Sequence, residues 1–170
     1  MANTNFDFYT DDSKVIFFLG LSEVVLSVFS RKEDQKVALD VIGKCWVWLR
    51  DKDNIGDILY DLLDNEENGI TIIQEMSDNE VDMIAWNCII DAVAYTSRKA
   101  FEREGVNYYP EPIALVDDTL VDHFIDCFEK CIEDSDSYIL RINSLLTKYK
   151  NEDITSDLRT EVLRDLQILI

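Results

Sequence analysis

The fold of this chain is decided by the stretch "VDMIAWNCIIDAVAY", residues 81–95. At about 100° per residue, a helix of this sequence is apolar nearly all round, and only a narrow strip with Asn87 and Asp91 is polar. A helix with that pattern lies at the centre of a bundle, where other helices cover most of its surface. We expect this helix to span about residues 79–104 and to end at Gly105.

Helical patterns continue on both sides of this stretch. Further helices are expected over about residues 11–29, 37–51, 54–65, 70–76, 112–133, 136–150 and 155–169. The segment "SRKEDQK", residues 30–36, is expected to be a polar connector, and strand alternation appears only weakly, at residues 70–73. Only two prolines and five glycines are present, which favours helices. We predict an all-α fold, a single-domain helical bundle of roughly six to eight helices over residues 1–170, with a short N-terminal tail at 1–10 and a mostly apolar central helix.

The charge of the chain is strongly negative. Its 16 Lys and Arg residues stand against 35 Asp and Glu residues, for a net charge of −19. Such a field repels nucleic-acid phosphates and anionic lipids, and it attracts basic partners at raised association rates. We therefore expect neither nucleic-acid nor membrane binding. A high net charge also keeps proteins soluble, so the charge by itself does not require a basic partner.

The sequence favours a cytoplasmic protein. Its first residues lack the basic region of a signal peptide. The most apolar run, Val15–Phe29, is interrupted by Ser22 and Glu23 and is shorter than the roughly 20 residues of a membrane span. We expect it to form a core helix. The four cysteines, Cys45, Cys88, Cys127 and Cys131, all fall in apolar helical patterns, as buried free thiols do in a reducing compartment.

The stretch "WLRDKDNIGDILYDLLDNEE", residues 48–67, resembles a calcium-binding loop, with aspartates at loop positions one, three and seven and a glycine at six. An EF-hand also needs an oxygen ligand at position five and a bidentate Glu at position twelve, where this chain has Ile55 and Leu62. The residues fit a helix better. Its apolar face is expected to carry Ile55, Ile58, Leu59, Leu62 and Leu63, and an acidic stripe on the opposite face to carry Asp57, Asp61 and Asp64.

No catalytic site emerges from the residue pattern, and we expect neither enzymatic activity nor a cofactor. His123 is the only histidine, so a catalytic triad that needs a histidine would have to use it. His123, Cys127 and Cys131 recur every four residues and form a possible row of soft-metal ligands. Core packing explains the two cysteines better, with His123 at the edge of the core face, and we predict no metal site.

Several blocks of the sequence, taken in order, resemble the immunity protein 6 family of bacterial polymorphic toxin systems. They are "ALDVIGKCWVWLRDK", an acidic helix, "GITIIQEM", "AWNCIIDAVAYTSRKAFEREG" and "YYPEPIALVDD", which lie between about Ala38 and Ile132. The resemblance implies an all-α cytoplasmic protein that binds and neutralises a toxin encoded beside it, commonly a nuclease. It implies no catalytic residue, and it does not assign the residues that contact the toxin.

The resemblance and the charge together suggest how such a protein would act. A toxin nuclease presents a cationic surface to its substrate, so an acidic inhibitor is steered toward that surface. We therefore expect stoichiometric inhibition of a cationic nuclease by an acidic protein surface. The candidate toxin-binding residues are Asp57, Tyr60, Asp61, Asp64, Glu66, Glu67, Asp117, Asp118 and Asp122. An alternative interpretation of each is an ordinary surface residue, because a protein of this charge carries many solvated acids.

Two other classes of function stay open at the level of sequence. One is an acidic all-α interaction or regulatory domain whose partner is not a toxin. The other is an all-α metal-binding protein or enzyme that uses buried carboxylates or the row of His123, Cys127 and Cys131. The oligomeric state is also open, because the apolar C-terminal run "LQILI" suits either packing on the bundle or a dimer contact.

Overall fold

A computed structural model describes residues 5–149 and 157–168 of the chain. The helix ends predicted near Lys150, Thr155 and Leu169, and residues 1–4 of the expected tail, lie outside these ranges. The described residues form helices and no strand, which confirms the predicted all-α class. The helices are α1 (Asp11–Val25), α2 (Lys32–Asp51), α3 (Gly56–Asp64), α4 (Ile70–Glu75), α5 (Glu80–Glu104), α6 (Glu111–Ala114), α7 (Leu120–Cys131), α8 (Ser135–Lys148) and α9 (Leu158–Asp165).

Helices α1 and α5 form the centre of the bundle, as their apolar sequences predict. Every residue of α1 from Ser13 to Val25 is buried, and α5 is buried along most of its length. Aromatic side chains join the two helices, since Phe18 stacks on Tyr95 with ring centroids 4.5 Å apart. Phe6, which precedes α1 in a short 3-10 turn, is 2% exposed and packs against the same cluster.

Several predicted boundaries are wrong. Helix α1 ends at Val25 and is followed by a 3-10 turn over Leu26–Val28, and α9 ends at Asp165. Helix α2 begins at Lys32, so most of the predicted connector at 30–36 is the first turn of a helix. The helix predicted over 112–133 is two helices, α6 and α7, and this division gives nine helices among the described residues instead of eight. The interruption follows from Asp117, which accepts hydrogen bonds from the backbone and side chain of Thr119 and holds the turn before α7.

Helices α8 and α9 pack over α1, and α9 is also joined to α1 by an ion pair with a buried carboxylate. The Glu23 side chain is 5% exposed, and its Oε1 accepts hydrogen bonds from Trp46 Nε1 at 3.0 Å and from Arg159 Nε at 2.8 Å. Gly20 lets these helices approach, because a Cβ at that position would lie 2.8 Å from Ile142 Cδ1 and 3.0 Å from Val162 Cγ1. The C-terminal helix is therefore docked by charge as well as by apolar contact.

Candidate functional site

The predicted acidic stripe lies on the outer side of α3. Leu59 and Leu63 are buried against the bundle, and Asp57, Asp61 and Asp64 are all exposed. This is the amphipathic arrangement that the sequence predicts. Ile58 departs from it: the predicted apolar face includes it, but its side chain is 52% exposed. At about 100° per residue, Ile58 falls roughly 100° away from Leu59 and so lies outside the buried sector.

Close contact with α5 fixes the position of α3. The Gly56 N–H donates to Glu104 Oε2 at 2.9 Å, and the Gly56 carbonyl accepts from Ser97 Oγ at 2.9 Å. A Cβ at Gly56 would lie 2.7 Å from Glu104 Oε2 and 2.9 Å from Phe101 Cδ1, so any larger residue would push the two helices apart. The acidic stripe is therefore carried on an element that is packed tightly at its N-terminal end.

The turn after α3 extends the stripe. Tyr60 OH donates to Asp64 Oδ2 at 2.8 Å, and this hydrogen bond raises the pKa of Tyr60. Asn65 Oδ1 accepts from the backbone N–H groups of Glu67 at 2.9 Å and of Asn68 at 3.2 Å, which fixes the turn. Glu66 and Glu67 are exposed there, directly after the three aspartates of α3.

The chain between Lys52 and Arg98 contains eleven Asp and Glu residues and no Lys, Arg or His. All of these acids are exposed except the buried Asp82 and Asp91. Elsewhere in the described chain, most of the basic residues form ion pairs with nearby acids, as Lys99 does with Asp11 and Glu102. With the described residues, the acids of the α3 stripe form no such ion pair. We call the exposed acids of residues 53–80 the acidic face; they are Asp53, Asp57, Asp61, Asp64, Glu66, Glu67, Glu75, Asp78 and Glu80.

The second predicted acidic cluster has a different character. Asp118 accepts hydrogen bonds from Lys14 Nζ at 2.6 Å and from Tyr95 OH at 2.8 Å. Burial raises the pKa of Asp118, but the Lys14 and Tyr95 hydrogen bonds outweigh burial and hold it below its usual value. Asp118 therefore ties the loop before α7 to α1 and α5. Its neighbour Asp117 holds the turn before α7, and Asp122 is exposed on α7.

The structure does not unite the two acidic clusters into one face. Helix α3 bonds to α5 at Ser97, whereas Asp118 bonds to α5 at Tyr95. Residues two apart on a helix point about 200° away from each other, so the clusters contact different sides of α5. The α3 stripe and the turn after it therefore form an acidic cluster separate from Asp118.

His123, the first residue of the row with Cys127 and Cys131, contacts the buried carboxylate of Asp91 on α5. His123 Nδ1 lies 2.6 Å from Asp91 Oδ2, and His123 Nε2 lies 3.7 Å from Cys127 Sγ. This order of groups resembles a thiol nucleophile with its base and orienting acid. An activated thiol needs a lowered pKa, however, and burial together with the carboxylate of Asp91 raises the pKa of Cys127 to about 11. The thiol is therefore not activated.

The same residues do not form a recognisable metal site. Within the described ranges, no three His, Cys, Asp or Glu side chains are arranged to hold a metal ion. Burial raises the pKa of Asp91 to about 6, although its hydrogen bond with His123 opposes the shift. Asp91 and Asn87 form the polar strip that interrupts the apolar sequence of α5. Asp91 contacts His123, and Asn87 accepts a hydrogen bond from Gln74 Nε2 at 2.6 Å.

We expect the Asp91→Asn variant to be more stable than the wild-type protein at pH 8, by about 1–3 kcal/mol. Because the pKa of Asp91 is raised on folding, the folded chain holds this proton between pH 4 and 6 while the unfolded chain loses it. Wild-type stability therefore falls as the pH rises through this range, and the variant lacks that fall. Urea unfolding at pH 5 and pH 8 checks this, with the exposed Glu129→Gln as control. A stability gain that does not change with pH would contradict the assignment.

These observations define a class of protein: an acidic all-α domain with a packed core and a run of exposed carboxylates on and after α3. No helix in the described part of the chain is both long and apolar enough to cross a membrane. The family model of Immunity protein Imm6 matches residues 13–131, which span α1 to α7 and include the acidic face. The chain belongs to this family of immunity proteins. No curated protein and no solved structure matches the chain.

Proposed function

We propose that the protein binds a cognate nuclease toxin in a one-to-one complex and neutralises it, with the acidic face as the contact surface. Membership of the immunity protein family supports a toxin as the partner. The acidic face is the observation that supports an electrostatic contact with the toxin. It concentrates exposed carboxylates in a stretch without any basic residue.

The charge distribution suits rapid capture of a cationic enzyme. A nuclease attracts the phosphates of its substrate with Lys and Arg side chains, and the same side chains are attracted to the acidic face. Electrostatic steering of this kind raises association rates by one to three orders of magnitude at low salt. Speed matters here because a free nuclease damages the cell with each turnover.

Within the acidic face we assign the first contacts to α3 and the turn that follows it. Asp57, Asp61 and Asp64 project from a helix that is packed against α5, so their positions are fixed before binding. Tyr60 adds aromatic area beside them, and its hydroxyl is already held by Asp64. Glu66 and Glu67 extend the contact, whereas Asp118 and Asp117 hold the loop before α7 and Asp122 is a separate exposed acid on α7.

We propose that the protein inhibits the toxin by binding to it, without catalysis and without a cofactor. The Cys127 thiol is not activated, and the exposed polar groups of the acidic face are carboxylates suited to ion pairs. The protein would act in the cytoplasm, where the nuclease would meet its substrate.

The test is reconstitution with the toxin domain encoded beside this chain. We expect the two proteins to co-elute with one-to-one stoichiometry, nuclease activity to fall linearly to zero at one equivalent, and the association rate to drop steeply as salt is raised. Failure of the two proteins to bind would overturn the proposal. A complex that leaves the nuclease fully active would instead identify an acidic interaction domain with another role.

A further inference from the structure

A cavity of about 350 Å³ lies between the N-terminal end of α2 and the connection from α4 to α5. Its polar lining includes Ser30, Arg31, Glu33, Asp34, Asp78 and Asp82. The wall formed by the α4–α5 connection includes Asp78, a residue of the acidic face. Helix α4 is tied to the end of α3 by the hydrogen bond from Thr71 Oγ1 to the Leu63 carbonyl at 2.7 Å. The cavity therefore adjoins the acidic face.

The walls of the cavity combine negative charge with apolar surface. Four carboxylates stand against one guanidinium among the lining residues. Val37, Ile73 and Met76 supply the apolar part, and Met76 is 80% exposed at the rim. Exposed methionines are adaptable contact residues in protein interfaces.

Two of the carboxylates are buried, and only one of them has hydrogen-bond partners. Asp82 is 1% exposed, and it accepts hydrogen bonds from Ser30 N at 3.0 Å and Ser30 Oγ at 2.5 Å. Asp34 is 7% exposed, and no described residue donates a hydrogen bond to its carboxylate. The Asp34 carboxylate oxygens are not fully sealed from solvent, so a cationic group that enters the cavity can reach them.

The nearest guanidinium does not satisfy Asp34. The Arg31 side chain is 67% exposed, and its ion pair is with Glu33, at 3.7 Å. Burial raises the pKa of Asp34, and the carboxylates of Asp82 and Glu33 add to the rise while Arg31 opposes it. The cavity thus holds uncompensated negative charge.

The shape of the cavity distinguishes between possible cations. No three of its carboxylates converge as metal ligands, and no such group occurs anywhere in the described ranges. A long side chain with an apolar stem and a cationic head fits better, because the stem can lie along Val37, Ile73 and Met76 while the head reaches Asp34.

We propose that this cavity receives a lysine or arginine side chain of the bound toxin, with its cationic group on Asp34. The inference rests on the proposed function, because it takes the toxin as the source of the side chain. Under this proposal Asp34 is a binding residue, although it is only 7% exposed in the first turn of α2.

The first test uses the protein alone. We would titrate isotope-labelled protein with Nα-acetyl-L-arginine methylamide, with its lysine analogue, and with the neutral norleucine analogue as control. At least one cationic probe is expected to bind with a Kd on the order of 1–10 mM, shifting the amide signals of Asp34, Ile73 and Met76. Binding should vanish in Asp34→Asn and persist in Asp136→Asn, which makes the same exchange in the first turn of α8. Absence of saturable shifts, or equal shifts in both variants, would overturn the inference.

The second test uses the toxin complex. Asp34→Asn is expected to weaken the complex about 30-fold or more, and Asp136→Asn less than about threefold. The thermal stability of Asp34→Asn should stay within about 2 °C of the wild type, since the exchange breaks no hydrogen bond within the described residues. Equal affinities for the two variants would overturn the inference while the immunity function stands. If the wild-type protein binds no toxin, the proposed function fails, and the probe titration still decides whether the cavity binds cations.

Discussion

Replacing Asp57, Asp61 and Asp64 together with asparagine is expected to weaken the toxin complex about 100-fold at low ionic strength. The exchange removes three exposed charges while keeping the shape of each side chain. Most of the loss should appear as slower association, because these charges act before contact as well as in it. The amide oxygen introduced by Asp64→Asn can still accept the hydrogen bond of the Tyr60 hydroxyl, and α3 loses repulsion between like charges one turn apart. The free protein should therefore stay folded.

The measurement is association and dissociation kinetics at two salt concentrations, with circular dichroism to show that the fold is intact. A matched control is Glu129→Gln with Glu133→Gln and Asp136→Asn, which removes the same charge from exposed positions on and after α7. The control should lower the association rate only slightly. If both triple variants lose affinity equally, the total charge matters and the acidic face has no special role.

The Arg159→Met variant is expected to lose about 3 kcal/mol or more of stability at neutral pH, and its Tm about 6–12 °C. The exchange leaves the buried Glu23 carboxylate with only the Trp46 N–H as a partner. Burial already raises the pKa of Glu23, and Arg159 is the main group that opposes this rise. Without Arg159 the folded state favours the protonated acid even more strongly. The loss should therefore shrink as the pH falls and Glu23 takes up its proton.

Thermal unfolding of three variants checks this prediction. Arg164→Met removes an exposed arginine from the same helix and should change the Tm by no more than about 2 °C. Adding Glu23→Gln to Arg159→Met should recover most of the lost stability, because the uncompensated charge is then gone. No recovery in the double variant would show that Arg159 stabilises the bundle by packing alone.

The sequence predicts the central helix closely because the chemistry of its ends is local. Asn79 Oδ1 accepts from the Asp82 N–H at 3.0 Å as the N-cap, and Gly105 ends α5 with a positive φ of 70°. The start of α2 is missed for the opposite reason. Lys32 to Lys36 form helix readily but include no apolar residue, so the helical period is invisible there.

Contacts between distant parts of the chain limit what the sequence reveals about the site. The exposure of the α3 aspartates follows from helical periodicity and is predicted correctly. The basic partners of Asp118 and Glu23, which are Lys14 and Arg159, lie 104 and 136 residues away in the chain, and no local pattern indicates them. The burial of Asp34 depends on the folded connection between α4 and α5. A charged residue in the first turn of a helix looks like an ordinary favourable charge until its surroundings are known.

The lack of lysine and arginine between Lys52 and Arg98 has a practical consequence for mapping the complex. Trypsin cuts after basic residues, so the whole acidic face leaves a digest as one peptide, residues 53–98. Cross-linkers that react with amines do not label this peptide at all. A carbodiimide, which joins a carboxylate directly to an amine, has many targets on it and no internal amine to consume them. Any such link on this peptide joins it to another segment, and toxin lysines held against the acidic face would be marked at zero length.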